Sequence, residues 1–190
     1  MIPLYRNGLK RVLDAALAVL GLGLFALPMA WIAWRLHCEG GPPVLFRQPR
    51  VGYKGQLFTI YKFRTMNKAG EVDPGLSLKL RATAMDELPQ LFNILRGEMS
   101  FVGPRPLIPE ELEDLDRVPK GRGRLQVRPG LTGLAQIQAS KTPSLPERIQ
   151  WDLAYAERCS FRLDMELLFK SLAVTLAGKW EGAGPGAHGR

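Results

Sequence analysis

The sequence predicts a mixed, helix-rich α/β fold with a short β-hairpin, preceded by a long apolar helix. Residues 15–34 carry no charge, and two tryptophans are their only hydrogen-bonding side chains. Aromatic and β-branched residues on both sides of Gly52-Tyr53-Lys54-Gly55 predict two hairpin strands. The expected division is an anchor over residues 1–40, a larger domain over residues 41–178 and a Gly-rich tail over residues 179–190.

The composition indicates an anionic partner. The 190 residues suffice for one domain with its own core, and they carry a formal net charge of +8. Such a charge favours nucleic acid, a phosphorylated substrate or an anionic membrane. No arginine–aromatic repeat of a nucleic-acid motif occurs, so we expect no nucleic acid partner. Cys38 and Cys159 lie far apart and indicate neither a disulfide framework nor a zinc knuckle.

The apolar run is long enough to cross a bilayer, because its 20 residues would span about 30 Å as a helix. Two features favour a re-entrant helix, broken at Pro28, that enters and leaves by the cytoplasmic face. Proline kinks a helix, and basic residues, which favour the cytoplasmic side, flank both ends of the run. A kinked helix that crosses once is the alternative. Asp14, at the mouth of the run, is expected to pair with Lys10 or Arg11.

The predicted hairpin strands, residues 43–48 and 57–64, are basic. We expect their cations to contact phosphate or anionic headgroups near the membrane, with an ordinary solvated strand face as the alternative. For Lys54, at the turn, the solvated alternative is the one we favour. The basic side chains are Arg47, Arg50, Lys54, Lys62 and Arg64.

Two adjacent carboxylates, Asp86 and Glu87, begin a helix predicted over residues 86–96. The helix dipole and the free N–H groups favour negative charge there, so a phosphate or a carboxylate-bound metal would suit this position. A capping box between Thr83 and Asp86 is the alternative interpretation. The apolar face of this helix is expected to consist of Leu88, Leu91, Phe92 and Leu95.

Five long motifs follow one another along the chain. They are Pro43-Val44-Leu45-Phe46-Arg47-Gln48, Tyr61-Lys62-Phe63-Arg64-Thr65-Met66, Asp86-Glu87-Leu88-Pro89-Gln90, Met99-Ser100-Phe101-Val102-Gly103-Pro104-Arg105-Pro106 and Arg128-Pro129-Gly130-Leu131-Thr132-Gly133. Together they resemble the bacterial sugar transferase family, the monotopic polyprenol-phosphate phosphoglycosyl transferases, in its small single-domain form. The resemblance covers the chain from Lys10 to about residue 178.

The resemblance implies transfer of a sugar phosphate from a nucleotide diphosphate sugar, usually UDP-linked, to polyprenol phosphate. The products would be a polyprenol-diphosphate sugar and UMP, formed on the cytoplasmic leaflet of the bacterial inner membrane early in glycoconjugate or exopolysaccharide assembly. It also implies a covalent aspartyl-phosphosugar intermediate and Mg²⁺. By position, Asp86 matches the nucleophile and Glu87 the second carboxylate of the dyad. The sugar, the polyprenol length and the oligomeric state, a homodimer included, stay open.

General chemistry agrees with these roles. A carboxylate at a helix N-terminus stays ionised and nucleophilic, and Mg²⁺ prefers one or two carboxylates together with phosphate oxygens, which Asp86 and Glu87 would supply. Arg105, held between two prolines, presents a rigid guanidinium fork suited to phosphate. The side chains expected to serve the same anion are Arg81, Lys62 and Arg64.

The resemblance gives the C-terminal third a nucleotide-side role, implied for Thr132, Gly133 and Gln136. The segment after them departs from the Asn-Gly-Arg common in relatives, and Lys141 is the candidate substitute for an arginine often found there. This departure concerns the specificity for the sugar nucleotide. Residues 147–158 and 164–177 predict helices, the second capped by Asp164 and packed through leucines or laid on the membrane. Asp152, Tyr155, Ser160 and Asp164 are interpreted as structural.

Two rival functions remain at this point. A membrane-bound phosphohydrolase would use the same aspartate but pass the phosphate to water. A non-catalytic basic membrane scaffold would explain the charge and the anchor, but it would not explain the two carboxylates and Arg105.

Overall fold

The computed structural model describes residues 5–67, 70–72, 75–138 and 143–177, and these confirm a mixed, helix-rich α/β fold with a short hairpin. In chain order the elements are α1 (Lys10–Gly40), β1 (Leu45–Val51), β2 (Leu57–Phe63), α2 (Leu76–Ala82), α3 (Leu91–Arg96), β3 (Ser100–Val102), β4 (Gly130–Thr132), α4 (Leu134–Gln138), α5 (Leu145–Arg158) and α6 (Phe161–Leu176). Strands β1 and β2 pair antiparallel as predicted, and β3 pairs with β4 in parallel.

Helix α1 is continuous through Pro28, so the predicted interruption of the helix is absent. Proline removes one backbone hydrogen bond, but the bonds of its neighbours keep the helical path. One stripe of α1 packs against the rest of the fold: Lys10, Asp14, Ala18, Ile32 and Leu36 are buried. The other faces expose large apolar side chains, including Leu20, Leu24, Leu27, Trp31 and Trp34. Among the described residues, α1 alone is long and apolar enough to cross a membrane, which suggests membrane association.

The first turn of α1 is joined to α6 by buried polar contacts. Lys10 forms an ion pair with Asp164, which also accepts a hydrogen bond from Tyr5 at 2.6 Å. Asp14 accepts from the backbone N–H of Phe101 at 3.2 Å. The expected ion pair of Asp14 with a neighbouring cation is therefore wrong, because tertiary partners replace the local one.

The helix predicted over residues 86–96 is in fact two elements. A 3-10 helix, Met85–Gln90, precedes α3, and Ala84 before it has a left-handed backbone with φ of 53°. The tighter 3-10 turn shifts which side chains face inward. Leu91 is buried and Leu88 packs against the same cluster, but Phe92 and Leu95 are exposed, so only half of the predicted apolar face packs inward.

The capping box is also wrong. The Thr83 hydroxyl donates to the carbonyl of Lys79 at 2.8 Å, at the end of α2, and does not cap the turn that carries Asp86. In α6, Ser160 is the N-cap, not Asp164, because its side chain accepts from the Leu163 N–H. The leucine face predicted on α6 is divided: Leu167 is buried, while Leu172 and Leu176 are exposed.

Strands β3 and β4 approach each other through glycines from two of the sequence motifs. A Cβ atom on Gly103 would lie 2.2 Å from the carbonyl oxygen of Arg128, and one on Gly130 would lie 2.1 Å from the nitrogen of Gly103. A Cβ atom on Gly133 would lie 2.2 Å from the carbonyl oxygen of Gly103. The contacting atoms are backbone, which has little freedom to move aside. Side chains larger than hydrogen are therefore excluded at these three positions.

Replacing Gly103 by alanine should destabilise the fold by about 3 kcal/mol, because the added methyl group must displace backbone atoms. The measurement is urea denaturation of the detergent-solubilised protein. Gly8→Ala is the matched control, since a Cβ atom there meets nothing within 4 Å. Equal stability of the two variants would contradict the glycine constraint.

Candidate active site

A small pocket lies between the hairpin and the turn that carries the two carboxylates. Its remaining wall is formed by β4 and by the segments that follow β3 and β4. Its volume is about 10 Å³, roughly that of one water-sized group. Strand β1 contributes Arg50, strand β2 contributes Lys62, and the turn contributes Glu87. The other polar side chains of the lining are Gln90, Arg105 and Gln136.

Asp86 and Glu87 lie in the first turn of the 3-10 helix. Glu87 forms an ion pair with Lys62, with 2.5 Å between Oε1 and Nζ. Asp86 is 9% exposed. Burial and, second, the charge of Glu87 raise the pKa of Asp86 to about 6, against the opposing charges of Lys62 and Arg81. Asp86 is therefore mostly ionised at neutral pH and is poorly solvated, as suits a nucleophile.

The structure brings three of the predicted anion ligands to the dyad. Lys62 contacts Glu87 directly, and Arg81, buried on α2, is close enough to lower the pKa of Asp86. Arg105 lines the pocket from the loop after β3. Together they place positive charge around the two carboxylates.

Other predicted site residues lie elsewhere or face other partners. The Arg64 guanidinium donates to the carbonyl of Gly41 at 2.9 Å, at the end of α1. The Thr132 hydroxyl shares a hydrogen bond with Ser171 of α6, and Gly133 packs against backbone. Lys141 lies outside the described residues.

Gln136 does line the pocket. Its Nε2 donates to the carbonyl of Leu131 at 3.0 Å, and its Oε1 is buried without a partner. Gln90 and Arg50 also line the pocket and also have a buried unpartnered atom, Nε2 and Nε respectively. Unpaired buried polar atoms are costly, so a polar ligand is the natural partner for these three.

The sequence analysis missed a buried ion pair that holds the Arg105 loop. The carbonyl of Arg105 accepts from Nη2 of Arg124 at 2.8 Å. The Nε and Nη2 atoms of Arg124 both donate to Oδ2 of Asp152, at 2.9 and 2.6 Å. Asp152 therefore has the structural role that the sequence predicts. Its partner has no signal in the sequence, because Arg124 lies 28 residues away.

The donor set fits Mg²⁺ only in company with a substrate. No group of three or more His, Cys, Asp or Glu residues suited to a metal occurs within the described ranges. Mg²⁺ is commonly held by one or two carboxylates together with phosphate oxygens and water. Asp86 and Glu87 are adjacent carboxylates, and their mutual repulsion would be relieved by a cation.

Comparison with known proteins decides the family. The profile described as "Bacterial sugar transferase" matches residues 5–178. The chain belongs to the bacterial sugar transferase family. It is therefore an enzyme, a transferase.

Named relatives of this transferase come from several bacteria. It is 37% identical to UDP-glucose:undecaprenyl-phosphate glucose-1-phosphate transferase of Caulobacter vibrioides, over 88% of this chain and 69% of the relative. It is 35% identical to the exopolysaccharide production protein ExoY of Rhizobium meliloti, over 88% of this chain and 86% of that protein. It is 33% identical to undecaprenyl-phosphate galactose phosphotransferase of Salmonella typhimurium, over 88% of this chain and only 40% of that protein.

The Asp86→Asn variant of the transferase should be more stable than the wild type above pH 6. Folding raises the pKa of Asp86 from 3.8 to about 6, so the folded state binds a proton more tightly than the unfolded state. The wild type therefore loses stability as pH rises from about 4 to 6, by about 3 kcal/mol, whereas the neutral amide does not. Urea denaturation at pH 4 and at pH 8 measures the difference.

The control is Asp114→Asn, which removes a half-buried carboxylate whose partner, Arg117, is exposed. This variant should change the free energy of unfolding by less than about 1 kcal/mol at both pH values. An Asp86→Asn stability gain that did not depend on pH would contradict the raised pKa.

Proposed function

We propose that this transferase moves a sugar 1-phosphate from a UDP-sugar to polyprenol phosphate, giving a polyprenol-diphosphate sugar and UMP. The observation that carries the proposal is the buried Asp86, with its raised pKa, beside the Glu87–Lys62 pair. The names of the Caulobacter and Salmonella relatives, which specify undecaprenyl phosphate and glucose or galactose, support the acceptor class.

The first step forms a covalent aspartyl-phosphosugar. An oxygen of Asp86 attacks the phosphorus that bears the sugar, and the bond from that phosphorus to the bridging oxygen breaks. The bridging oxygen keeps the electron pair and leaves with UMP. Lys62 and Arg105 stand where they can neutralise the phosphate oxygens, and positioning with charge neutralisation is the main requirement of phosphoryl transfer.

The second step returns Asp86 to its starting form. A phosphate oxygen of the polyprenol phosphate attacks the same phosphorus, and the aspartyl oxygen leaves as a carboxylate. An acyl phosphate retains group-transfer potential, so this step needs no further source of energy.

Asp86 and Glu87 would hold Mg²⁺ in the substrate complex. When bound, the ion supplies charge neutralisation to the phosphate oxygens. Glu87 has to exchange its contact with Lys62 for this role, which frees the ammonium group of Lys62 to meet the substrate.

We also propose that the protein is monotopic on the cytoplasmic face of the bacterial inner membrane. Both ends of α1 contact the same body: Lys10 pairs with Asp164 at one end, and Gly41, just past the other, accepts from Arg64. A helix crossing the bilayer would carry its two ends to opposite surfaces. In this proposal α1 is re-entrant, with a kink at Pro28 that leaves the helix continuous.

Incubation with a UDP-sugar and Mg²⁺ should release UMP and leave a hydroxylamine-labile phosphosugar on Asp86, detected by mass spectrometry. Adduct formation should fall as the pH is lowered, because only the ionised carboxylate attacks and burial raises the pKa of Asp86. Asp86→Asn should abolish the adduct, and EDTA should suppress it until Mg²⁺ is restored.

Two results would overturn parts of this mechanism. UMP release without an adduct would indicate hydrolysis or direct transfer, and the phosphohydrolase would then be the better interpretation. An adduct that forms on Asp86→Asn would refute the nucleophile. Asp114→Asn, on a carboxylate outside the pocket lining, should form the adduct at the wild-type rate.

Cysteine labelling in intact cells tests the topology. Cys38 is exposed near the end of α1, and a Gly8→Cys variant in a Cys38→Ser background reports on its start. Neither cysteine should react with a membrane-impermeant maleimide until the cells are permeabilised. Reaction of one of the two from outside would show that α1 crosses the membrane.

A further inference from the structure

Arg50 lines the pocket beside Arg105, and the mechanism above leaves it unused. Its side chain is fixed from two sides: Nη1 donates to the carbonyl of Pro106 at 3.1 Å, and Nη2 donates to Oε1 of Gln48 at 2.5 Å. Its Nε is buried and has no partner. A cation held in place by neutral groups, with one unpaired donor, suits an anionic ligand.

Glu87 links the two carboxylates to the two guanidinium groups. It follows Asp86 in the same 3-10 turn, and it lines the pocket together with Arg50 and Arg105. A phosphate held by the two guanidinium groups therefore lies against the turn that carries the nucleophile.

The two guanidinium groups lack an ion-pair partner. Among the described residues, no carboxylate lies within ion-pair distance of Arg50 or Arg105. Burial and, second, the charge of Arg105 lower the pKa of Arg50 to about 10. The pocket opens to solvent, and one anion at its mouth that spans both neighbouring cations relieves their repulsion.

We propose that Arg50 binds the phosphate that leaves with the nucleotide, while Arg105 binds the phosphate that carries the sugar. The two guanidinium groups thus hold one diphosphate, with its sugar-bearing phosphorus toward Asp86. This assignment rests on the proposed function. When the bond between Asp86 and phosphorus forms, the phosphorus–oxygen bond between the two phosphates breaks. The electron pair stays on the departing oxygen, and Arg50 stabilises that charge.

The position beside Arg50 binds a phosphate in both half-reactions. In-line displacement places both the leaving and the attacking oxygen opposite Asp86. The phosphate of the polyprenol acceptor therefore enters the position that UMP vacates, and Arg50 binds the two phosphates in turn. One cation serves both half-reactions.

Calorimetric binding of UMP and uridine to the purified full-length protein tests the assignment without turnover. Arg50→Met should weaken UMP binding about 10- to 100-fold, the range for a lost charged hydrogen bond, and leave uridine binding unchanged. Arg50→Lys should recover part of the loss. Arg117→Met is the matched control, because Arg117 is exposed, pairs with Asp114 and does not line the pocket. Its UMP affinity should equal that of the wild type.

The outcomes separate this assignment from the function on which it rests. Unchanged UMP binding in Arg50→Met, or an equal loss for UMP and uridine, would refute a phosphate contact by Arg50. Inorganic pyrophosphate is the second probe. A wild type that bound pyrophosphate but not UMP would refute the uridine donor and leave the two-guanidinium site standing, whereas binding of neither would refute the site.

Discussion

The backbone contact between Gly103, Gly130 and Gly133 is the constraint on which the pocket depends. These glycines allow β3 and β4 to pair in parallel at a distance that a Cβ atom would forbid. Parallel strands direct the chain segments that follow them to the same edge. The segment after β3 carries Arg105, and the segment after β4 carries Gln136, so both reach the pocket. The backbone contact between these glycines thus determines where Arg105 and Gln136 lie.

The charges of the site are held by groups that are themselves paired. Arg124 is held by Asp152 and donates to the backbone carbonyl of Arg105. The guanidinium group of Arg105 is therefore left to line the pocket. By contrast, Asp86 is buried beside a second carboxylate, which raises its pKa and costs stability. A fold selected only for stability would hold a neutral residue there. The ionised Asp86 is destabilised by burial and by its neighbouring carboxylate, whereas the loop of Arg105 is held by hydrogen bonds. The two features go together, because a reactive group needs rigid surroundings.

Local patterns predicted what depends on neighbours in sequence: the hairpin and the long apolar helix. That Lys62 and Arg105 serve the same anion as the two carboxylates is an expectation from their chemistry, since both lie far from the carboxylates in the chain. Local patterns failed where the fold replaced a local partner by a distant one. Asp14 bonds to Phe101 instead of a neighbouring cation, and the pair of Arg124 with Asp152 has no local signature. The single helix over residues 86–96 failed for another reason, since a 3-10 turn changes the residues per turn and no hydrophobic spacing reports that change in advance.

Helix α1 is part of the folded core, and its other faces expose large apolar side chains. Ala18 packs with Ile60 and Ile94 in one hydrophobic cluster, and Ile32 packs with Phe63 in another. A flexible tether would let the domain sit at any height above a bilayer, but a helix packed along its length fixes that height. A phosphate that is attached to a lipid chain can lie only within a limited distance of the bilayer surface. In the proposed function, the packing of α1 holds the site at a fixed depth, and a lipid-linked acceptor is the kind of substrate for which that depth matters.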